Sequence, residues 1–201
     1  RSQGLAQNGA CLIGDLQRAV VSNRADAYGL TRAEQAGITT RVLRHQDFPS
    51  RDAYDAALGD LVAGFAPGLI ALAGFMRILS PGFVEKYEGR IINIHPSLLP
   101  RYQGLNTHQR ALDNQDQEHG VSIHIVTPEL DAGPVILQGR FAIDAADDSA
   151  SLQQKAHRLE HQMYPLVLQW FSQQRLQLHK GKPVFDGRPL EQPLIFNELS
   201  D

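Results

Sequence analysis

An α/β fold, with a doubly wound and mostly parallel sheet and helices on both of its faces, is what this chain of 201 residues predicts. Three observations predict it. Apolar runs alternate with helical stretches along the chain, the order that builds βαβ units and parallel pairs. Leu69 to Phe75 is apolar on both faces, as the buried strands of a parallel sheet are. The run from Arg90 to Ile94 ends in polar residues, and open α/β sheets bind ligands at the carboxyl ends of their strands.

The elements follow in order. Arg18 to Asn23 is a short apolar run closed by polar residues, hence a strand. Ala25 to Gln35 reads as a helix stopped at Gly37. Thr39 to Leu43 is the next strand. Ser50 is placed to cap a helix from Arg51 to about Phe65, which Pro67-Gly68 breaks. Ser80-Pro81 opens a short helix, with Ser as cap and Pro at the first position. Val121 to Val126 alternates, and Pro134 to Ala142 is its partner through the turn-like Pro128 to Gly133. Leu152, Ala156, Leu159, Met163, Leu166 and Trp170 recur at helical spacing, giving a long helix from Ser149 to Gln174 in which Pro165 should produce a kink. Residues 176–201 form a tail with a hairpin on Asp186-Gly187. Together these give a Rossmann-like sheet in a single domain spanning 1–201, without repeats or long linkers.

The bulk composition narrows the function. Hydrophobic residues make up 42% and charged residues 20%, ordinary for a folded domain. A formal net charge of -3 argues against a general nucleic-acid binder, which needs a clustered basic excess. A single cysteine, Cys11, excludes an intramolecular disulfide and any multi-cysteine zinc site, and fits a cytoplasmic location. The longest apolar run, Leu69 to Phe75, falls far short of the roughly 20 residues of a spanning helix. No membrane and no signal peptide are expected.

Three polar features carry candidate chemistry. Asn93 and His95 are two apart on a strand, so both point the same way, and Pro96 ends the ladder. Asp131 lies in Thr127-Pro-Glu-Leu-Asp-Ala-Gly-Pro134, and Glu160 with His161 lies on the long helix. Each has a plain structural reading. A strand-end histidine is more often a satisfied packing residue, Asp131 before Ala-Gly-Pro is a turn former, and Glu160 fits a solvated face. His157 and His161 are one helical turn apart, yet the stronger expectation is no metal. Taken together the first two features suit acyl transfer. An amine attacking a formyl carbon gives a tetrahedral intermediate with a negative oxygen. Asn offers that oxygen an N–H donor, and a protonated His offers a stronger one and a proton. A nearby carboxylate favours the imidazolium and relays the proton leaving the amine. No Gly-x-Ser-x-Gly occurs, and no covalent nucleophile is needed.

Several motifs in one order resemble phosphoribosylglycinamide formyltransferase (GAR transformylase). They are Val21-Ser-Asn23, Leu72-Ala-Gly-Phe-Met-Arg77-Ile-Leu-Ser-Pro81, Asn93-Ile-His95-Pro-Ser-Leu-Leu-Pro100, Gly104-Leu-Asn-Thr-His108, His119-Gly-Val-Ser-Ile-His124, Glu129-Leu-Asp131-Ala-Gly-Pro-Val-Ile136 and Glu160-His161. They span roughly Ala19 to Phe171. The resemblance implies transfer of a formyl group from 10-formyltetrahydrofolate to the glycinamide amine, a step in purine biosynthesis. It implies His95 as general acid, Asn93 as donor to the formyl oxygen, and Asp131 as the carboxylate that raises the histidine pKa. It implies folate contacts at Arg51, near the glutamate tail, and at Met76, Arg77, Ile78 and Leu79. The loop of Thr127, Pro128, Glu129, Leu130 and Asp131 would close on the pteridine. The amine substrate would lie against His157, Arg158, Leu159 and Glu160. The partners are then small molecules, with a monomer or homodimer as the assembly.

The sequence also departs from that family. Arg1 to Gly9 begins where the family's first helix is under way, which implies that the opening strand and the Ser-Gly-x-Gly-Ser-Asn phosphate loop are missing from this chain. Asn106 stands where the family often has His, and Ala132 where it commonly has Gly. The nearest rival reading is a formyltetrahydrofolate hydrolase, in which water replaces the amine and the same three residues serve. A folate-binding protein without turnover is the rival from another class.

Overall fold

The computed structural model describes residues 9–13, 17–75, 77–179 and 181–196. The fold is α/β with a mostly parallel central sheet. By internal contacts the chain divides between Asn93 and Ile94 into two compact units, and each is described by itself.

The N-terminal unit holds strands β1 (Gly9–Ile13), β2 (Gln17–Ser22), β3 (Thr39–Val42), β4 (Leu69–Ala73) and the start of β5 (Ile91–His95). Their order is β5-β4-β1-β2-β3. The pairs β2·β3 and β4·β5 are parallel, whereas β1 runs antiparallel to both β2 and β4. Strands β2 to β5 therefore share one direction and β1 opposes them. The resemblance placed a helix over Arg1 to Gly9, of which all but Gly9 lie outside the described residues, and implied that a strand was missing. A strand follows directly, in which Ala10 pairs with Val21 on one side and Leu72 on the other. The physical reason is the ladder: an unfilled place between β2 and β4 would leave two rows of buried N–H and C=O groups unpaired. Residues 1–8 lie outside the described residues.

Helix α1 spans Tyr28–Gln35, three residues shorter at its start than the sequence predicted. The Arg24 amide donates to Ser22 Oγ and the Ala27 amide to the Arg24 carbonyl, so a turn occupies the first predicted residues. Helix α2 spans Arg51–Ala63, and Ser50 caps it as expected, its hydroxyl accepting from the Ala53 amide at 3.1 Å. Helix α3 spans Pro81–Lys86 behind the Ser80 cap. Asp55 on α2 is 2% exposed and accepts the Ser80 amide, which ties the segment before α3 to α2.

The C-terminal unit holds the end of β5, α4 (Thr107–Asp113), β6 (Glu118–Ile125), β7 (Val135–Ala142), α5 (Ser149–Ser172) and β11 (Leu194–Phe196). Strands β6 and β7 are antiparallel and β11 adds parallel to β7. Asp148 and Ser151 form a reciprocal capping box at the start of α5. Leu152, Ala156, Leu159, Met163 and Val167 form its buried stripe. The stripe lies against β7, because a Cβ added at Gly139 would come within 2.5 Å of Met163 Sδ. Strands β8 (Leu176–His179), β9 (Lys182–Phe185) and β10 (Arg188–Pro189) make a second small sheet. The predicted hairpin is present. Asp186 and Gly187 both have positive φ, 47° and 79°, as a type I′ turn requires. The short helix α4 was not predicted. No described helix is long and apolar enough to cross a membrane.

Candidate active site

Strand β5 ends at His95, and the strand's alternation puts Asn93, half-buried, on the same side two residues earlier. The His95 ring is fixed by two acceptors. Its Nε2–H donates to the Tyr102 carbonyl at 2.9 Å, and its Nδ1 lies 3.4 Å from Asp131 Oδ2. The side chains of His95 and Asp131 are only 8% and 10% exposed. The neutral ring donates to one acceptor at a time. Only the doubly protonated ring donates toward both.

Two loops bring these groups together. The first follows β5. Ser122 Oγ donates to the Ser97 carbonyl at 2.7 Å and accepts from the Leu99 amide at 3.0 Å. Gln138 Nε2 donates to the Leu99 carbonyl at 2.8 Å and to Ser122 Oγ at 3.0 Å. This buried network uses the full capacity of the Ser122 hydroxyl and holds the backbone that leads to Tyr102. The second loop carries Asp131 at φ 49°. Its Oδ2 accepts the Gly104 amide at 2.9 Å, and its backbone carbonyl accepts Gln103 Nε2 at 3.2 Å. A positive φ suits Asp better than most residues, because its short polar side chain bonds locally. The predicted pair of His95 and Asp131 is thus brought together.

His124, in the quoted motif but without an assigned role, also faces Asp131. Its Nδ1–H donates to the Ile125 carbonyl at 2.9 Å, and its Nε2 is 3.6 Å from Asp131 Oδ1. Burial lowers its pKa, against the raising effects of the Ile125 carbonyl and Asp131.

Nearby, His108 Nδ1 and His119 Nε2 are 2.9 Å apart, one donating to the other. Burial, reinforced by His108, lowers the His119 pKa to about 4, and burial lowers that of His108 as well. A histidine whose folded pKa lies below its unfolded value near 6.5 stabilises the protein above pH 6.5, and loses that contribution as pH falls toward 4. The expected loss from this residue is about 2 kcal/mol at pH 5 relative to pH 7, by the pKa difference. Urea unfolding at the two pH values checks it, with His119→Gln expected to flatten the slope. An unchanged slope in that variant contradicts it.

The remaining predicted residues are placed as follows. Arg51 opens α2, is exposed, and lies 3.7 Å from Asp52. Met76 lies outside the described residues. The Arg77 guanidinium sits 5.0 Å from the centroid of the Tyr54 ring, and its Nε is buried without a hydrogen-bond partner. Ile78 is 55% exposed, whereas Leu79 is a core residue. Thr127 Oγ1 donates to the Glu129 carbonyl, and Pro128, Glu129 and Leu130 are exposed. On α5, Arg158 is exposed and Leu159 is core, packed against Gly139. His157 and His161 stack at 6.3 Å. Burial raises the Glu160 pKa to about 7. A carboxyl with a raised folded pKa costs stability once it ionises, so the penalty grows from pH 4.5 to above 7. Glu160→Gln is expected to stabilise the substrate-free protein at pH 8 and to leave it unchanged at pH 5, as read by denaturant midpoints. Equal midpoint shifts at both pH values contradict this. Asn106 adopts φ 58° at the start of α4, a conformation Asn tolerates better than His. Among the described residues no group of three His, Cys, Asp or Glu is placed to hold a metal ion.

Comparison with known proteins places the chain. The formyl transferase family model matches residues 8–168. Phosphoribosylglycinamide formyltransferase of Escherichia coli is 53% identical over 173 residues, 86% of this chain and 82% of that protein. The Haemophilus influenzae enzyme of the same name is 43% identical over 192 residues, 94% of this chain and 91% of that protein. The solved phosphoribosylglycinamide formyltransferase of Coxiella burnetii superposes with a TM-score of 0.83 at 52% identity, covering 90% of this chain and 85% of that one. On these matches, and with the buried imidazole–carboxylate pair in place, the chain belongs to the formyl transferase family, among its phosphoribosylglycinamide formyltransferases.

Proposed function

We propose that the protein transfers the formyl group of 10-formyltetrahydrofolate to the amine of 5′-phosphoribosylglycinamide, a step of purine biosynthesis. The observation that carries the proposal is the buried contact of His95 Nδ1 with Asp131 Oδ2 at 3.4 Å. Asn93 donates to the formyl oxygen as it becomes an oxyanion. His95 gives a proton to the folate nitrogen as its bond to the formyl carbon breaks and the electron pair stays on that nitrogen. The attacking amine loses one proton, which Asp131 passes back to His95, directly or through water. The reaction therefore neither gains nor loses a proton. Arg51 meets the folate glutamate tail, Arg77 and Ile78 border the folate, and the Thr127 to Asp131 loop offers its backbone to the pteridine edge. His157 and Glu160 hold the amine substrate, whose hydroxyl donors would satisfy the Glu160 carboxylate. In this reading the enzyme works in the cytoplasm, as a monomer or homodimer, on two small molecules and without a metal. The test uses carbon-14 in the formyl group. Label is expected in formylated glycinamide. Label released as formate at the same rate without the amine substrate would establish hydrolysis instead.

A further inference from the structure

We propose that Tyr102 is a positioning residue that decides which ring nitrogen of His95 moves the proton: its carbonyl retains the Nε2 proton, Nδ1 gives and takes the mobile one, and the phenol, tied to Asp116, holds that carbonyl in place. The proposal rests on the formyl-transfer reading for its kinetic consequences and on geometry alone for the tautomer.

The geometry begins at the carbonyl. A carbonyl oxygen only accepts, so the 2.9 Å contact puts a proton on His95 Nε2. Removing that proton would leave two acceptors facing each other in a buried site. Nδ1 also faces an acceptor, but at a longer distance. Its neighbour, Asp131 Oδ2, is a carboxylate oxygen at 3.4 Å, too long to hold the proton as tightly as the carbonyl holds the other. In the neutral ring the proton accordingly sits on Nε2, and Nδ1 carries the lone pair that is protonated and deprotonated during turnover. The hydrogen bond made by one ring nitrogen sets the role of the other.

The carbonyl is itself held by the tyrosine side chain. The Tyr102 hydroxyl donates to Asp116 Oδ2 at 2.7 Å and accepts from Asn114 Nδ2 at 2.9 Å, so both its capacities are used in the turn after α4. Arg110, on α4, stacks its guanidinium 5.1 Å from the ring centroid and donates through Nη1 to the Gln103 carbonyl at 2.6 Å. Tyr102 adopts φ 56°, a left-handed conformation that an aromatic residue keeps only when its surroundings impose it. The segment these contacts impose on presents two groups to the site. One is the Tyr102 carbonyl on His95, and the other is the Gly104 amide on Asp131 Oδ2 at 2.9 Å. A single anchored stretch thus orients both members of the pair.

The test joins kinetics to nitrogen-15 spectra of the histidines, with His95 assigned by its loss in His95→Gln. Wild type is expected to show neutral His95 with its proton on Nε2. Tyr102→Phe, which removes only the anchoring hydroxyl, is expected to mix the two tautomers and to lower kcat about 10-fold, the scale of outer-shell orienting contacts, with both KM values unchanged. Asp116→Leu is expected to behave like Tyr102→Phe, and Asp116→Asn, whose oxygen still accepts, to restore most of the turnover. A wild-type ring with its neutral proton on Nδ1, or a Tyr102→Phe enzyme with unchanged tautomer and kcat, overturns the proposal. Wild type that makes no formylated amine, yet shows the Nε2–H ring, overturns the transfer reading and leaves the tautomer assignment standing.

Discussion

His95→Ala is expected to lower kcat for formyl transfer by at least about 10²-fold, the usual contribution of a general acid–base group, while the protein stays folded. The ring is at the end of β5, and among the described residues it is held by groups of the site itself, the Tyr102 carbonyl and Asp131. Its removal takes away the proton donor and leaves the Asp131 carboxylate without its counter-group. It leaves the loop network intact, because Ser97, Leu99, Ser122 and Gln138 bond to each other and not to the imidazole. Stopped-flow or coupled assays give kcat, and circular dichroism with a denaturant midpoint reports the fold. Wild-type turnover in a folded His95→Ala protein contradicts the assignment.

Gly133→Ala is expected to be nearly as damaging, by a different route. A Cβ at Gly133 would sit 1.8 Å from the Ile125 carbonyl oxygen and 2.9 Å from its carbon. Both are backbone atoms of β6, and the Ile125 amide is bonded to the Pro134 carbonyl at 2.9 Å, so neither strand yields easily. The loop that carries Asp131 must move instead. A displacement of about 1 Å at a catalytic group costs on the order of 10²-fold in rate, and overpacking adds about 1–3 kcal/mol of instability. Reduced kcat together with a lower denaturant midpoint is expected. Ala132, one residue earlier, is exposed and tolerates its methyl group. A Gly133→Ala enzyme with wild-type rate and midpoint would show that the loop has slack the geometry does not reveal.

Much of the site was legible in the sequence because strands have a period of two. Asn93 and His95 share a face by that rule alone, and Pro96 marks where the ladder stops. Ser50 and Ser80 announced α2 and α3 through capping chemistry, and Asp186-Gly187 announced its hairpin through the φ values such a turn needs. Asp131 was different. By itself it read as a turn former, taken with Asn93 and His95 it suited acyl transfer, and the resemblance implied the same role. The structure then supplied the contact with His95.

What stayed hidden has physical causes. Tyr102 acts on His95 through a carbonyl, and every residue has one, so no side-chain pattern signals it. Ser122 and Gln138 lie on strands whose apolar alternation is satisfied without them, and their partners are backbone atoms of a distant loop. Helix α4 is seven residues long and mostly polar, too short for a periodic signal. Strand β1 begins where the stretch that the resemblance assigned to a helix, Arg1 to Gly9, ends, and the edges of β2 and β4 between which it pairs determine its conformation. Leu79 and Leu159 fall inside motifs that suggest ligand contact, yet both side chains are buried in the core. Adjacent residues of one motif thus divide between packing and chemistry, and the sequence alone does not show which is which.

The most direct test of the account is a double-variant cycle on His95 and Asp131, because its central claim is that the two act as one unit in formyl transfer. Rates of formylated product would be measured for wild type, His95→Ala, Asp131→Asn and the double variant at saturating concentrations of both substrates. Residues that act as a unit are strongly non-additive. The account predicts a double variant about as slow as His95→Ala alone. A double variant slower by the full product of the two single effects would show that His95 and Asp131 contribute independently, and would contradict it.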